Sequence, residues 1–161
     1  MFTLSHFDTP CPETVTDQIL QLVVDNLTDI SSVALPPSNP LFAIYQYAVG
    51  YEVHLYLQAL DGTRDVNVEL ITAMDATDPD KVLGFVLYLP VKDNPQACGV
   101  AFMAVDASHR RRGIARAMLE AAAELPPLQA VIGHSMGGAS AMLAVQLGLR
   151  TETLVTIAAP A

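Results

Sequence analysis

Arg110, Arg111 and Arg112 stand side by side in a chain that has eight Lys and Arg residues in all and a formal net charge of −9. Gly113, Ile114 and Ala115 follow, where an apolar run ends and a helical pattern begins. Small residues such as Gly113 and Ala115 let backbone approach a ligand closely. The first N–H groups of a helix have no internal partner and lie at the positive end of its dipole. The segment from Arg110 to Ala115 therefore has the make-up of a cradle for a phosphate or pyrophosphate. On spacing alone, a solvated basic helix start that tolerates a glycine accounts for the same residues.

A second group of residues suggests different chemistry. Gly133-His134-Ser135-Met136-Gly137 is Gly-x-Ser-x-Gly, set between an apolar run and a helical pattern. A tight turn in that context projects a serine nucleophile at a helix N-terminus. The serine needs a histidine to take its proton and an acid to orient that histidine. Glu152 is the sole acid after Ser135, and His6, His54, His109 and His134 all precede it. The neighbouring His134 side chain should diverge from that of Ser135. The constellation is left without its proton acceptor, so hydrolysis through Ser135 is the second reading.

The elements that position these groups follow from the hydrophobic pattern. Cys11-Pro12-Glu13 opens a helix, with Pro in the first turn and Glu at the positive end. Ile19, Leu22, Val23, Leu27 and Ile30 continue it at helical spacing. Ser31–Pro40 holds three prolines and reads as a loop, and Asn39-Pro40 caps a short helix from Leu41 to about Ala48. Val53, Leu55, Leu57 and Ala59 then alternate with Glu52, His54, Tyr56 and Gln58, the pattern of a half-buried strand. Asp61-Gly62 turns it into a hairpin with the run Val66, Val68, Leu70. Beyond the polar turn Asp75–Lys81 come apolar strands at Val82–Leu89 and Cys98–Val105. A helix from Arg112 to Leu125 is stopped by Pro126-Pro127. Strand Leu128–Ile132, helix Ala139–Leu147 with Gly148 as its C-cap, and a last strand near Thr153–Ala158 complete the chain.

Composition narrows the function classes. Hydrophobic residues make up 52 % of the 161 positions and charged ones 16 %, enough to fill a core and too apolar for a disordered chain. The acidic balance argues against a general nucleic-acid surface. Cys11 and Cys98 are too few for a disulfide scaffold and suit a reducing cytoplasm. The stretch Leu41–Leu60 is apolar, but Gln46, Glu52, His54 and Gln58 argue against a membrane span. Met1–Pro10 lacks the basic start and apolar run of a secretory signal. No metal is expected.

Val105–Ala115 resembles the acetyl-CoA signature of the GNAT N-acetyltransferase family, Arg/Gln-x-x-Gly-x-Gly/Ala, with Arg110, Gly113 and Ala115 in its fixed positions. Leu83-Gly84-Phe85-Val86 resembles the family's third-strand segment, and the order of elements agrees over about residues 1–125. The resemblance implies an α+β fold: a mixed, mostly antiparallel sheet flanked by helices. Residues 1–125 would be the acetyl-CoA-binding core. Residues 126–161 would be a strand–helix–strand that completes the sheet or a foreign tail. Acetyl-CoA would be the co-substrate, with pantetheine on the strand edge at Met103, Ala104 and Val105. The pyrophosphate would rest on Arg110, Arg111, Arg112, Gly113, Ile114 and Ala115. A backbone N–H near Met103–Val105 would polarise the thioester. The acyl group would pass directly to an amine of a small molecule or peptide, and Glu69, His54 or Glu52 would take the amine's proton. Each of these three reads equally as a solvent-facing strand residue. The family's Tyr on the helix after the fifth strand has no counterpart in Ala139–Leu147.

From about 128 to 161 the chain also resembles an α/β-hydrolase segment, with strand, elbow, helix and strand in order. An acetyltransferase calls for an antiparallel last strand and a hydrolase for a parallel one. The sequence decides neither that direction nor the oligomeric state. A non-catalytic CoA-binding module is a third reading. The expected setting is the cytoplasm, with neither nucleic acid nor membrane as partner.

Overall fold

The computed structural model describes residues 1–27, 36–61, 68–91, 94–124, 130–134 and 153–157. In chain order its elements are β1 (Phe2–Phe7), α1 (Glu13–Asn26), α2 (Phe42–Gln58), β2 (Glu69–Asp75), β3 (Val82–Val91), β4 (Asn94–Val105), α3 (Ile114–Glu124), β5 (Ala130–His134) and β6 (Thr153–Ile157). The strands form one six-stranded sheet in sequential order. β1 to β4 are antiparallel neighbours, while β5 runs parallel to β4 and β6 parallel to β5. The expected α+β architecture, a mixed and mostly antiparallel sheet with flanking helices, is the one found.

The second helix departs from the sequence reading. Val53–Ala59 is not a strand: α2 runs unbroken from Phe42 to Gln58 and closes in a 3-10 turn at Ala59–Asp61. The alternation that suggested a strand is a coincidence on a helix carrying apolar residues on more than one side. The expected hairpin across Asp61-Gly62 falls with it, because β2 pairs instead with β1 and β3. β1, which the sequence reading did not anticipate, forms the sheet edge. Residues 62–67 lie outside the described residues, as do Ser135 and the expected helix Ala139–Leu147.

The last strand also departs from the acetyltransferase pattern, which implies an antiparallel one. β6 lies parallel to β5, with Ala130 opposite Thr153 and His134 opposite Ile157. Parallel neighbours need a connection of roughly a dozen residues or more, and residues 135–152 supply that length.

Both sheet faces are covered. On one, Val15, Ile19, Leu22, Val23 and Leu27 and, from α2, Val53 and Leu57 pack against Leu70, Met74, Phe85, Leu87 and Ala104. On the other, Ile114, Met118, Leu119 and Ala122 of α3 pack against Ile71, Ala73, Val86, Tyr88, Val100 and Met103. Each large apolar side chain so buried contributes about 1.5–3 kcal/mol. Gly84 sits where α3 begins. A Cβ there would lie 3.0 Å from the Ala104 carbonyl oxygen, 3.3 Å from Val105 Cγ2 and 3.4 Å from Ile114 Cγ2. The missing side chain is what lets α3 start so close to the sheet. No helix among the described residues is long and apolar enough to cross a membrane.

Candidate active site

β4 and β5 part company half-way along β4. Their pairing covers Ala97–Val100 against Ala130–Gly133. β4 continues to Val105, paired with β3. Among the described residues no strand pairs with Ala101–Val105 on the β5 side. The parting coincides with an irregularity in β4. Leu87 faces Phe102 but Tyr88 faces Val100, so Ala101 is the extra residue of a bulge. A bulge disturbs the ladder and bends its strand, and such features occur next to active sites. The sequence pattern gave no sign of it, because an apolar run reads the same with or without one extra residue.

The turn after β4 is built to hold its shape. Asp106 N–H donates to the Leu83 carbonyl at 2.8 Å, tying the turn to β3. Asp106 Oδ2 accepts from Ser108 Oγ and lies 2.6 Å from His109 Nδ1. The Ser108 and then the His109 hydrogen bond hold the Asp106 carboxyl below the usual carboxylate range. Ser108 Oγ also lies 3.0 Å from His109 Nδ1. Serine and aspartate thus share one ring nitrogen, which closes the 3-10 turn at Ala107–His109 and is not the geometry of a proton relay.

The backbone then takes left-handed values at Arg111 (φ 62°) and at Gly113 (φ 79°). Left-handed residues within such a turn gather N–H groups into an anion-binding concavity. Ala117 N–H donates to the Gly113 carbonyl at 2.9 Å as α3 begins. The N–H groups of Ile114, Ala115 and Arg116 precede that bond and have no intrahelical acceptor. A Cβ on Gly113 would meet nothing within 4 Å. The concavity therefore opens outward at its glycine, and Arg111 and Arg112 are exposed beside it.

Arg110 faces elsewhere. Its guanidinium donates to Asn26 Oδ1 at the end of α1. Asn26 is 4 % exposed, and its Nδ2 donates to the Leu22 carbonyl at 2.7 Å. Arg110 is thereby a strut between the turn and α1. Sequence reasoning missed Asn26, although a signal was present: it lies at helical spacing from Ile19, Leu22 and Val23, a polar residue on a buried stripe.

The two expected acid–base residues are not brought together. Glu69 opens β2 opposite Tyr88, which lies opposite Val100, which in turn pairs with Gly133 where β4 and β5 part. At about 4.8 Å per strand, Glu69 is roughly 10 Å from β4 in that row. Its Oε2 lies 3.5 Å from His6 Nε2. His54 is on α2, across the sheet, beside a recess of about 240 Å³ lined also by Cys11, Thr16 and Leu57. Glu52 is exposed on the same helix. A nearer titratable group is Tyr56, also on α2, whose ring centroid lies 6.1 Å from that of Phe102, on the part of β4 beyond its pairing with β5. Burial, and secondarily the Glu52 carboxylate, push the Tyr56 phenol above its ordinary value. The strand reading of this segment had hidden it.

The Acetyltransferase (GNAT) family model matches residues 39–129. The chain belongs to the GNAT acetyltransferase family. Solved structures with a similar fold agree with a GNAT assignment. An aminoglycoside acetyltransferase from an uncultured soil metagenomic sample matches with a TM-score of 0.57 at 17 % identity, over 93 % of this chain and 92 % of that one. A histone acetyltransferase HPA2 and related acetyltransferase from Corynebacterium glutamicum matches with a TM-score of 0.54 at 15 % identity, over 77 % and 71 %. A ribosomal-protein-alanine N-acetyltransferase from Brucella melitensis matches with a TM-score of 0.50 at 16 % identity, over 99 % and 82 %. The chain spans 64 % and 63 % of the length of two further matched structures. No curated protein matches the sequence. The GNAT match ends at residue 129 and gives no support to the hydrolase resemblance of residues 128–161.

Proposed function

We propose that this GNAT chain moves the acetyl group of acetyl-CoA directly to an amine of a small-molecule or peptide acceptor. One observation carries the proposal: the β5-side edge of β4, which no strand among the described residues pairs beyond Val100, leads from the bulge at Ala101 straight into the N–H concavity at the start of α3. Those residues fit the group. From Ala101 to Val105 the strand runs about 13 Å, room for an extended, amide-bearing arm to pair as a further strand would. The N–H groups of Ile114, Ala115 and Arg116, with the left-handed turn at Arg111–Gly113, suit a pyrophosphate. Bound acetyl-CoA supplies the activated acyl group. A backbone N–H of the stretch Ala101–Val105 is placed to polarise a carbonyl at the parting point. Arg110 and Asn26 hold the turn in register with α1.

An alkylammonium has a pKa of about 10.4 and must lose a proton before it attacks. Glu69 lies in the strand row that ends at the parting point and, two strands away, is the candidate acceptor of that proton through a chain of several waters. His54, across the sheet, is in no position to share that role. Tyr56 keeps its own proton and stands ready to donate it to the leaving thiolate. In this reading residues 1–125 carry the co-substrate site and residues 126–161 extend the sheet.

Calorimetric titration with acetyl-CoA, followed by a panel of amines scored by thiol release, tests the proposal. Gly113→Asp puts a carboxylate in the open side of the concavity and strains a left-handed residue. Binding should weaken by at least about 100-fold, the loss of one or two charge-assisted hydrogen bonds. Parent-level affinity in folded Gly113→Asp protein would refute the cradle. Binding without thiol release across the panel would leave a CoA-binding module rather than an enzyme.

A further inference from the structure

α2 is apolar on two opposite sides. One side puts Val53 and Leu57 into the core. At 100° per residue, Leu41, Ile44, Ala48, Tyr51 and Leu55 line the other. There Leu41 is 57 % exposed, Ile44 66 % and Tyr51 52 %, with Tyr47 at 73 % on the flank. The Tyr47 and Tyr51 rings stack at 6.1 Å, inclined by 10°. A helix apolar all round belongs in an interior, so a second surface is needed over this side.

Three features of the stripe define that surface. Its spacing alternates three and four, the seam by which one helix lies lengthwise on another. It is also symmetric about Ala48. An antiparallel copy rotated about an axis through Ala48 sets Leu41 near Leu55 and Ile44 near Tyr51, large against large, with the small side chain at the crossing. Isologous contacts require that self-complementarity. The third feature is charge. Between Pro36 and Gln58 the chain carries Glu52 and no Lys or Arg, in a molecule of net charge −9. Two such acidic copies repel over most of their surface, and a nearly uncharged face is where they meet at least cost. Helices that lie on bilayers carry Lys and Arg on their polar face, and α2 has neither.

We infer that the outer face of α2 is a self-association surface, α2 of one copy packing antiparallel on α2 of a second about a two-fold axis at Ala48. The exposed side chains offer on the order of 500 Å². A standard interface buries about 800 Å² per partner. An interface that small belongs to weak, transient association. This inference stands independently of the acyl-transfer proposal.

Sedimentation velocity across about 1 to 100 µM, the range in which weak micromolar complexes form and dissociate, tests it. The full chain should move from 17.2 kDa toward twice that mass as concentration rises. Ile44→Glu and Tyr51→Glu replace exposed side chains and should each weaken association at least tenfold, with unchanged far-UV circular dichroism. Leu4→Glu, at a 38 % exposed apolar residue on β1, adds the same charge away from the stripe and should leave association within about twofold, since one exposed charge acts weakly at that distance. A mass fixed at 17.2 kDa throughout would overturn the inference. So would association that survives both stripe variants, or that Leu4→Glu abolishes as well.

Discussion

A buried asparagine at the end of α1 carries no chemistry of its own, yet the turn between β4 and α3 leans on it. Asn26 holds the Leu22 carbonyl with its amide and the Arg110 guanidinium with its oxygen. Asn26→Leu leaves Arg110 without this partner, and the turn should lose its register with α1. Acetyl-CoA affinity should then fall roughly 10-fold, and stability by about 1.5–3 kcal/mol, what a hydrogen bond to a charged group contributes. Asn26→Asp keeps an oxygen toward Arg110 and should restore most of the affinity, although the bond to Leu22 is lost. Titration calorimetry beside urea melts separates the two effects. If both variants lose stability equally and both keep parent-level affinity, the strut has no bearing on binding. This pairing was half-legible beforehand: the polar residue on an apolar stripe was visible, but its partner 84 residues away was not.

Gly84 makes the corresponding argument at the level of elements. Any side chain there presses on the Ala104 carbonyl and on Ile114, the first residue of α3. Gly84→Ala should cost about 1–3 kcal/mol, as overpacking does. Gly84→Val should cost more and shift the helix start, so that co-substrate affinity falls along with the urea midpoint. A Gly84→Val protein with both unchanged would show that α3 has slack against the sheet. The strands around Gly84 were legible because Val82–Leu89 and Cys98–Val105 are long apolar runs bounded by turn residues. α2 was not, because helix patterns are recognised by one apolar face against a polar one, and this helix has apolar residues on both. With the helical period hidden, Glu52, His54 and Gln58 left an accidental period of two. β1 was missed for the opposite reason: an edge strand with no fully buried side chain and Thr3, Ser5 and His6 among its six residues has little apolar signal to find. The bulge and the parting of β4 from β5 left no trace in composition either, since both depend on which backbone groups find partners.

For the molecule as a whole, the two acidic turns at one end of the sheet set its behaviour in acid. The Asp75 carboxylate accepts from Thr77 N–H and Thr77 Oγ1, each at 2.8 Å, and these bonds hold it below its ordinary value. Asp106 is lowered by Ser108 and His109. A carboxyl depressed in the folded state stabilises above its unfolded value, near 3.9, and that stabilisation disappears as pH falls through the folded value. Thermal melts of the parent and Asp106→Asn should differ by a constant amount down to about pH 5, begin to approach each other near pH 4, and converge only as pH falls through the lowered folded value of Asp106. A gap that does not narrow at all as pH falls below about 4 would mean the carboxylate charge is not what the turn uses. The same sheet has a second consequence, in the exchange of its amide hydrogens with solvent. Successive N–H groups of a strand point to opposite edges. Between Ala101 and Val105, those directed at β3 are shielded permanently, while alternate ones on the other edge have no strand to shield them among the described residues. Deuterium should enter this stretch at every second position, and a ligand that lies along β4 should slow those positions and leave their neighbours as they were.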